Sequence, residues 1–249
     1  MIVLQYYEDG NLRNYSNESK SYETKINMLH DIARGLQDIH NSGNVHKDLH
    51  PGNILLDNLY SYISDLGMCQ PANNKEKSVK KGVYGVLPYM APEVLCGYQY
   101  TKAADIYSFG IIMNELLSEE MPHNDIPHDQ ILTVKICNSL RPKISEDVPK
   151  LLADLIMKCW DAKPENRPTI KELCQILKKY DDERKDKNSE IYSQIEKCDK
   201  IRKEKLKNNS DENKFKNTPT HPQAIYTSRL LNFNDLPEPV NSLDLSSYF

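Results

Sequence analysis

The sequence predicts a mainly α domain of the α+β class: a bundle of helices with a small strand region carrying polar loops. Three observations lead there. Apolar residues at helical spacing run from Tyr22 to His40, with Ile26, Leu29, Ala33, Leu36 and Ile39 on one face. Two apolar pieces too brief to be helices, "NILLD" and "YSYIS", follow between polar turns. From Ala103 to Tyr180 the pattern is helical again, cut into segments by prolines at 122, 127, 142, 149, 164 and 168.

In chain order, "IVLQYY" reads as a buried strand running into the turn Asp9-Gly10-Asn11. The first helix stops at "NSG", and residues 69–90 read as a polar loop without periodicity. The later helices are "AADIYSFGIIMNELLS", "HDQILTVKICNSL", "VPKLLADLIMKCW" and "TIKELCQILKKY", with Pro168 suited to a first helical position. After Tyr180 the composition shifts. Residues 181–217 are more than half charged, with mixed signs and one thin apolar stripe of Ile191, Ile195 and Cys198. A charged linker or solvated helix is expected there in preference to a partner-binding coiled coil, although the tail remains the candidate surface for a protein partner. Residues 218–249 hold prolines and a short apolar cluster, and are expected to dock on the body or stay loose and disordered. The expected organisation is a domain over 1–180, a charged segment over 181–217 and a tail over 218–249.

Composition narrows the function. The chain has 249 residues, 39% hydrophobic and 27% charged, with a formal net charge of -4. Nothing in that balance attracts nucleic acid, and no apolar run is long enough to span a bilayer, so neither partner is expected. Six scattered cysteines without a CxxC pair suit free thiols in a reducing, cytoplasmic setting, and not a zinc site.

The chemistry concentrates in "HKDLHPGNILLDNLYSYISDLG", His46 to Gly67. Asp48, Asn53 and Asp65 all fall on loops flanking the short strands. Phosphoryl transfer needs divalent metal at the phosphates and one carboxylate to align and deprotonate the acceptor hydroxyl. Hard magnesium prefers oxygen ligands, which Asn and Asp supply. Asp48 is then the base, and Asn53 and Asp65 hold metal. Either turn alone would be ordinary turn chemistry; their combination in one strand–loop–strand unit points to a site.

"HKDLHPGN" resembles the catalytic loop of eukaryotic protein kinases, and "SDLG" resembles their metal-binding Asp-Phe-Gly. Small-molecule phosphotransferases carry a loop close to residues 46–53, so the downstream motifs decide. "YMAPEVL" resembles the Ala-Pro-Glu that closes the protein-kinase activation segment, and "KAADIYSFGIIMNELL" the buried helix after it. "KCWDAKPENRPT" resembles the late Arg-Pro element, typical of the tyrosine-kinase-like branch. The resemblance covers residues 1 to about 180 and implies a kinase large-lobe helical bundle. It also implies ATP and Mg2+ as cofactors and a protein hydroxyl, serine or threonine, as acceptor. Asp105 would hydrogen-bond the catalytic-loop backbone, and Arg167 would pair with buried Glu93. Leu4 would sit at the gatekeeper, Gln5 and Tyr7 would face the adenine through the backbone, and Leu55 would lie beneath it.

Departures from the family pattern accompany the match. Lys47 stands for the usual arginine before Asp48, and can attract an activation-loop phosphate only as a point charge. His50 stands where serine/threonine kinases place a phosphate-contacting lysine, so Lys47 and His50 join Asp48 and Asn53 as catalytic-loop candidates. Val86 replaces a hydrogen-bonding threonine, and Leu66 replaces phenylalanine. His46 is expected to pack as core, while His30, His40, His123, His128 and His221 show no evident partners. No glycine-rich loop, strand lysine or helix glutamate precedes the catalytic loop, and glycine is scarce at nine residues. The expectation is an incomplete domain, truncated from a full-length kinase, with little activity alone. A non-catalytic, pseudokinase-like binding module is the alternative.

Overall fold

The computed structural model describes residues 5–15, 20–58, 60–72, 82–208 and 220–242. Helix α1, Tyr22–Asn41, starts at Ser21, whose side chain accepts from the Thr24 N–H, and ends where Gly43 takes φ +83°. Ile26, Leu29, Ala33 and Leu36 of the face predicted from spacing are buried, joined by Ile32, whereas Ile39 is only half-buried. Short strands follow: β1 (Asn44–Val45), β2 (Ile54–Asp57), β3 (Tyr60–Ile63), β4 (Gln70–Pro71) and β5 (Val83–Gly85). They pair antiparallel in twos, β2 with β3 from Ile54↔Ile63 to Asp57↔Tyr60 and β1 with β4.

The helical body continues with α2 (Pro92–Leu95), α3 (Lys102–Ser118), α4 (Gln130–Cys137), α5 (Lys150–Cys159) and α6 (Ile170–Glu183). Helix α3 is buried nearly all round, from Ala104 to Leu117, as an apolar helix without a polar face must be. It is the centre of the molecule: α1 and α5 pack on it, and α6 covers the other side of α1. Phe109, Leu116 and Trp160 lie in this core. Helix α6 begins in a capping box between Thr169 and Glu172, so Pro168 lies just outside the helix and not at its first position.

Two further segments dock on this body. Helix α7, Glu190–Asn208, touches α6 and reaches the start of α5. Its Ile191 is 0% exposed, Gln194 accepts from the Leu151 N–H at 2.9 Å, and Arg202 pairs with Glu119. Residues 220–242 cross the front of the domain as a strap containing β6, Arg229–Leu231, which pairs antiparallel with β5. The polar-loop expectation for 69–90 gives way at its end, because Val86–Met90 is buried between β5 and α2. Residues 2–4 of the expected first strand, including Leu4 of the gatekeeper expectation, lie outside the described residues. Gln5–Tyr7 forms no strand among the described residues, and Tyr6 is 84% exposed. Pairing begins at Asn11, bridged to Leu55, and at Leu12, whose N–H donates to the Ile54 carbonyl at 2.8 Å.

Candidate active site

The catalytic-loop candidates are built on a single buried carboxylate. Asp105, on the first turn of α3 and 0% exposed, accepts the His46 N–H at 2.8 Å on one oxygen and the Lys47 N–H at 3.0 Å on the other. His40 Nε2, at the end of α1, contacts the first oxygen at 2.9 Å, so both oxygens of that carboxylate are engaged. This clamp holds Lys47 at φ +74°, a left-handed conformation costly for a side chain with a Cβ. The turn aims Asp48 away from α3. The Lys47 ammonium is lowered from its ordinary range by burial, against the opposing pull of Asp105.

Asn53 joins the two halves of the site. Its amide N–H donates to the Asp48 carbonyl at 2.8 Å, and its backbone carbonyl accepts both the Ser64 N–H at 2.8 Å and the Ser64 hydroxyl at 3.0 Å. Asp65 follows directly, left-handed at φ +55°, with a carboxylate oxygen accepting the Gly67 N–H at 3.3 Å. His46, fully buried, locks the same unit from below by bonding the Ser64 carbonyl at 3.0 Å and accepting the Asp48 N–H at 3.3 Å. The structure thus brings Asp48, Asn53 and the Asp65 turn into one hydrogen-bonded unit. Leu66 keeps the turn but is exposed, so it does not pack where the sequence pattern places an aromatic ring.

His50 flanks the Asp48 carboxylate. Its Nε2 lies 3.7 Å from Oδ2, an electrostatic contact and too long for a hydrogen bond. Its Nδ1 accepts the Gly52 N–H at 3.1 Å, which leaves the proton of the neutral ring on Nε2, facing Asp48. A Cβ on Gly52 would fall 2.8 Å from that ring, so the Pro-Gly-Asn turn needs its glycine for close approach. Burial pushes the Asp48 carboxyl up, but His50 and the hydroxyl of Ser228, from the strap, outweigh it and hold the group below its ordinary value.

The donor set fits magnesium. Asn53 turns its amide nitrogen to the Asp48 carbonyl, which directs its side-chain oxygen the other way, and Asp65 adds a carboxylate. Among the described residues no three His, Cys, Asp or Glu side chains gather as a transition-metal site. The expected adenine contacts lie to one side. Tyr7 packs against Tyr62 with ring centroids 5.2 Å apart and planes tilted by 46°, Tyr62 pairs with half-buried Leu55, and Gln5 is exposed nearby in sequence.

The supports downstream are equally specific. Arg167 grips Glu93 through two parallel bonds, Nη1 to Oε1 at 2.7 Å and Nη2 to Oε2 at 2.8 Å, and donates to the Ala103 carbonyl at 2.9 Å. Sequence patterning gives no sign of His40, Arg13, His128 or Ser228, because each acts on a partner far away in the chain. Arg13 lies over the rings of Tyr89 and Tyr226 at 5.5 and 5.0 Å.

The sequence has known relatives. The sequence profile of the family described as protein tyrosine and serine/threonine kinase matches residues 1–177. The chain belongs to that family. Among similar curated proteins, the serine/threonine/tyrosine-protein kinase HT1 of Arabidopsis thaliana is 33% identical over 187 residues, 73% of this chain and 47% of that protein. The probable serine/threonine-protein kinase gdt2 of Dictyostelium discoideum is 35% identical over 195 residues, 72% of this chain and 12% of that protein. A putative serine/threonine-protein kinase/receptor, R818, of Acanthamoeba polyphaga mimivirus is 34% identical over 180 residues, 71% of this chain and 11% of that protein. The chain therefore spans less than half the length of these kinases. Among the described residues no helix is long and apolar enough to cross a membrane.

Proposed function

We propose that this chain carries the acceptor-binding and metal-holding half of a protein kinase of the tyrosine-kinase-like branch, transferring the terminal phosphate of ATP to a protein serine or threonine in the cytoplasm. One observation carries it: Asn53 ties Asp48 to the Ser64–Asp65 turn through bonds of 2.8 Å on both sides. On this reading one base and two oxygen ligands share a single hydrogen-bonded unit, which phosphoryl transfer demands and a mere turn does not.

The roles follow from the chemistry of each group. Asp48 accepts the proton of the incoming hydroxyl as its oxygen attacks the terminal phosphorus. Its lowered carboxyl keeps it unprotonated, and thus competent, across the neutral range. His50 holds a ring N–H toward that carboxylate and orients it, in place of a lysine. Lys47 adds positive charge behind the loop. Asn53 and Asp65 would hold Mg2+, which when bound neutralises charge on the phosphates. Gln5, Tyr7 and Leu55 are assigned to the adenine side. The glycine-rich loop and lysine that cover phosphates in kinases are not among the residues of this chain, so transfer by these residues alone is expected to be weak.

The test is phosphate transfer from labelled ATP by the full-length protein to a panel of protein and small hydroxyl acceptors. Transfer to protein acceptors that falls about 10²–10⁴-fold in Asp48→Asn fits the assignment. Preference for small hydroxyl compounds, or indifference to Asp48→Asn, would remove it.

A further inference from the structure

The strap of residues 220–242 does more than cover the domain. It enters at His221, whose N–H donates to the Asn124 carbonyl at 2.7 Å, and then runs along His128. The His128 N–H donates to the Gln223 carbonyl at 3.0 Å. The ring of His128 donates from Nε2 to the His123 carbonyl at 3.1 Å and accepts the Ile225 N–H on Nδ1 at 3.0 Å. Tyr226 seats its ring edge-on against His128, under the guanidinium of Arg13, with its hydroxyl bonded to the Pro122 carbonyl at 2.9 Å. Two residues on stands Ser228, near enough to Asp48 to help hold its carboxyl below the ordinary value. Immediately after that, Arg229–Leu231 pairs with Val83–Gly85 in antiparallel register: Gly85↔Arg229, Tyr84↔Leu230 and Val83↔Leu231.

Each contact is of the kind a bound peptide makes. Main-chain pairing with an exposed strand edge supplies register, and alternate side chains enter separate pockets. Leu231 is buried in the core cluster, and Arg229 donates to the His128 carbonyl at 2.7 Å. Gly82 lies so close beneath the strap that a Cβ there would stand 2.5 Å from the Leu231 carbonyl oxygen. A hydroxyl delivered to the base by a segment hydrogen-bonded along β5 is the geometry an acceptor needs.

We propose that residues 225–231 occupy this chain's own acceptor-peptide groove, holding Ser228 where a protein substrate presents its hydroxyl to Asp48. The proposal rests on Asp48 being the acceptor-facing base. Any protein acceptor must then displace the strap, whose tether gives it an effective concentration on the order of millimolar. The strap also describes the acceptor class: an extended segment with a hydroxyl residue at the centre, an aromatic residue two positions before it, a basic residue after it and an apolar residue three positions after it.

The test uses the full chain and a fluorescein-labelled peptide spanning residues 222–234. In a Tyr226→Ala/Leu231→Asp variant the strap is unhooked while the groove itself keeps every residue. The peptide is expected to bind that variant at least tenfold more tightly than the wild-type chain. A second variant, Tyr226→Ala/Arg229→Ala, leaves Leu231 in place and covers a folding failure of the first. Replacing the peptide's Ser228 by Glu sets a carboxylate against Asp48 and should weaken binding at least tenfold, and Asp48→Asn in the chain should restore it. Equal binding to wild type and variants, no binding to either variant, or a Ser228→Glu penalty indifferent to Asp48→Asn would each overturn the proposal. Peptide binding of the expected pattern by a chain that transfers no phosphate supports the occupancy and removes only the catalytic assignment.

Discussion

Arg167 and Glu93 meet across 74 residues of chain as a buried, two-bonded pair. Their burial decides what a substitution does. Attraction between the two is offset by the cost of removing both from water, so the pair adds little net stability while intact, but a lone survivor is strongly unfavourable. Arg167→Ala is expected to destabilise the chain by roughly 3–5 kcal/mol, read from urea unfolding, and a change under 1 kcal/mol would contradict the burial argument. Asp105 makes a different kind of demand, since it holds a strained turn and not a partner charge. Asp105→Asn keeps the shape but gives one oxygen in place of two, so either the His46 or the Lys47 N–H loses its acceptor. The expected outcome is an Asp48 loop with amide exchange at least tenfold faster and a melting temperature lowered only modestly, by the worth of about one hydrogen bond.

Helix α7 illustrates the element scale. Its mean polarity suits a solvated helix, and Glu190, Ser193, Glu196, Lys197 and Lys200 are exposed. The stripe foreseen at Ile191, Ile195 and Cys198 nevertheless faces the body, with Ile191 and Cys198 buried and Ile195 packed against the core. Lys205 and Arg202 add ion pairs to Asp147 and Glu119 at its far end. Partly exposed pairs of this kind contribute little, so the apolar contact holds the helix. Ile191→Ala is expected to cost about 2–5 kcal/mol, within the range for a fully buried aliphatic side chain, whereas Lys205→Ala stays within about 1 kcal/mol. Chemical denaturation of both variants checks the ranking; a larger effect from Lys205 would assign the docking to charge instead.

For the whole molecule, the pH dependence of stability passes through Glu115. Its carboxylate lies on α3 under Tyr89, whose hydroxyl donates to it at 2.5 Å, and near the Arg13 guanidinium. Burial raises it to about 7, more than Tyr89 and Arg13 lower it. Between about pH 4.5 and 7 the folded chain therefore keeps a proton that the unfolded chain has released. Stability from this group is fully present below that interval and is lost as pH rises through it, by up to about 3 kcal/mol. Thermal unfolding at pH 5 and 7.5 measures the loss. Glu115→Gln, which cannot ionise, is expected to flatten that part of the profile; an unchanged slope would place the titration elsewhere.

The helices α1, α3, α5 and α6 and the cluster Asp48, Asn53, Asp65 are legible in the letters because their signals are local. Helical spacing recurs within a few turns, and the three polar candidates lie within one strand–loop–strand unit. Asp105 and the Glu93–Arg167 pair were legible only through motif resemblance, since nothing in their neighbourhoods announces a distant partner. Three features stayed hidden. His40 closes the Asp105 clamp from 65 residues away, His128 seats a strap 97 residues later, and β5 looks like loop because its partner strand comes from the tail. By itself the sequence determined which residues could do phosphoryl chemistry and which segments must coil into helices. Only the tertiary structure decided that the tail pairs with β5 and brings Ser228 near Asp48. A strand three residues long has no stability or periodicity of its own, and acquires both from the chain it is folded against.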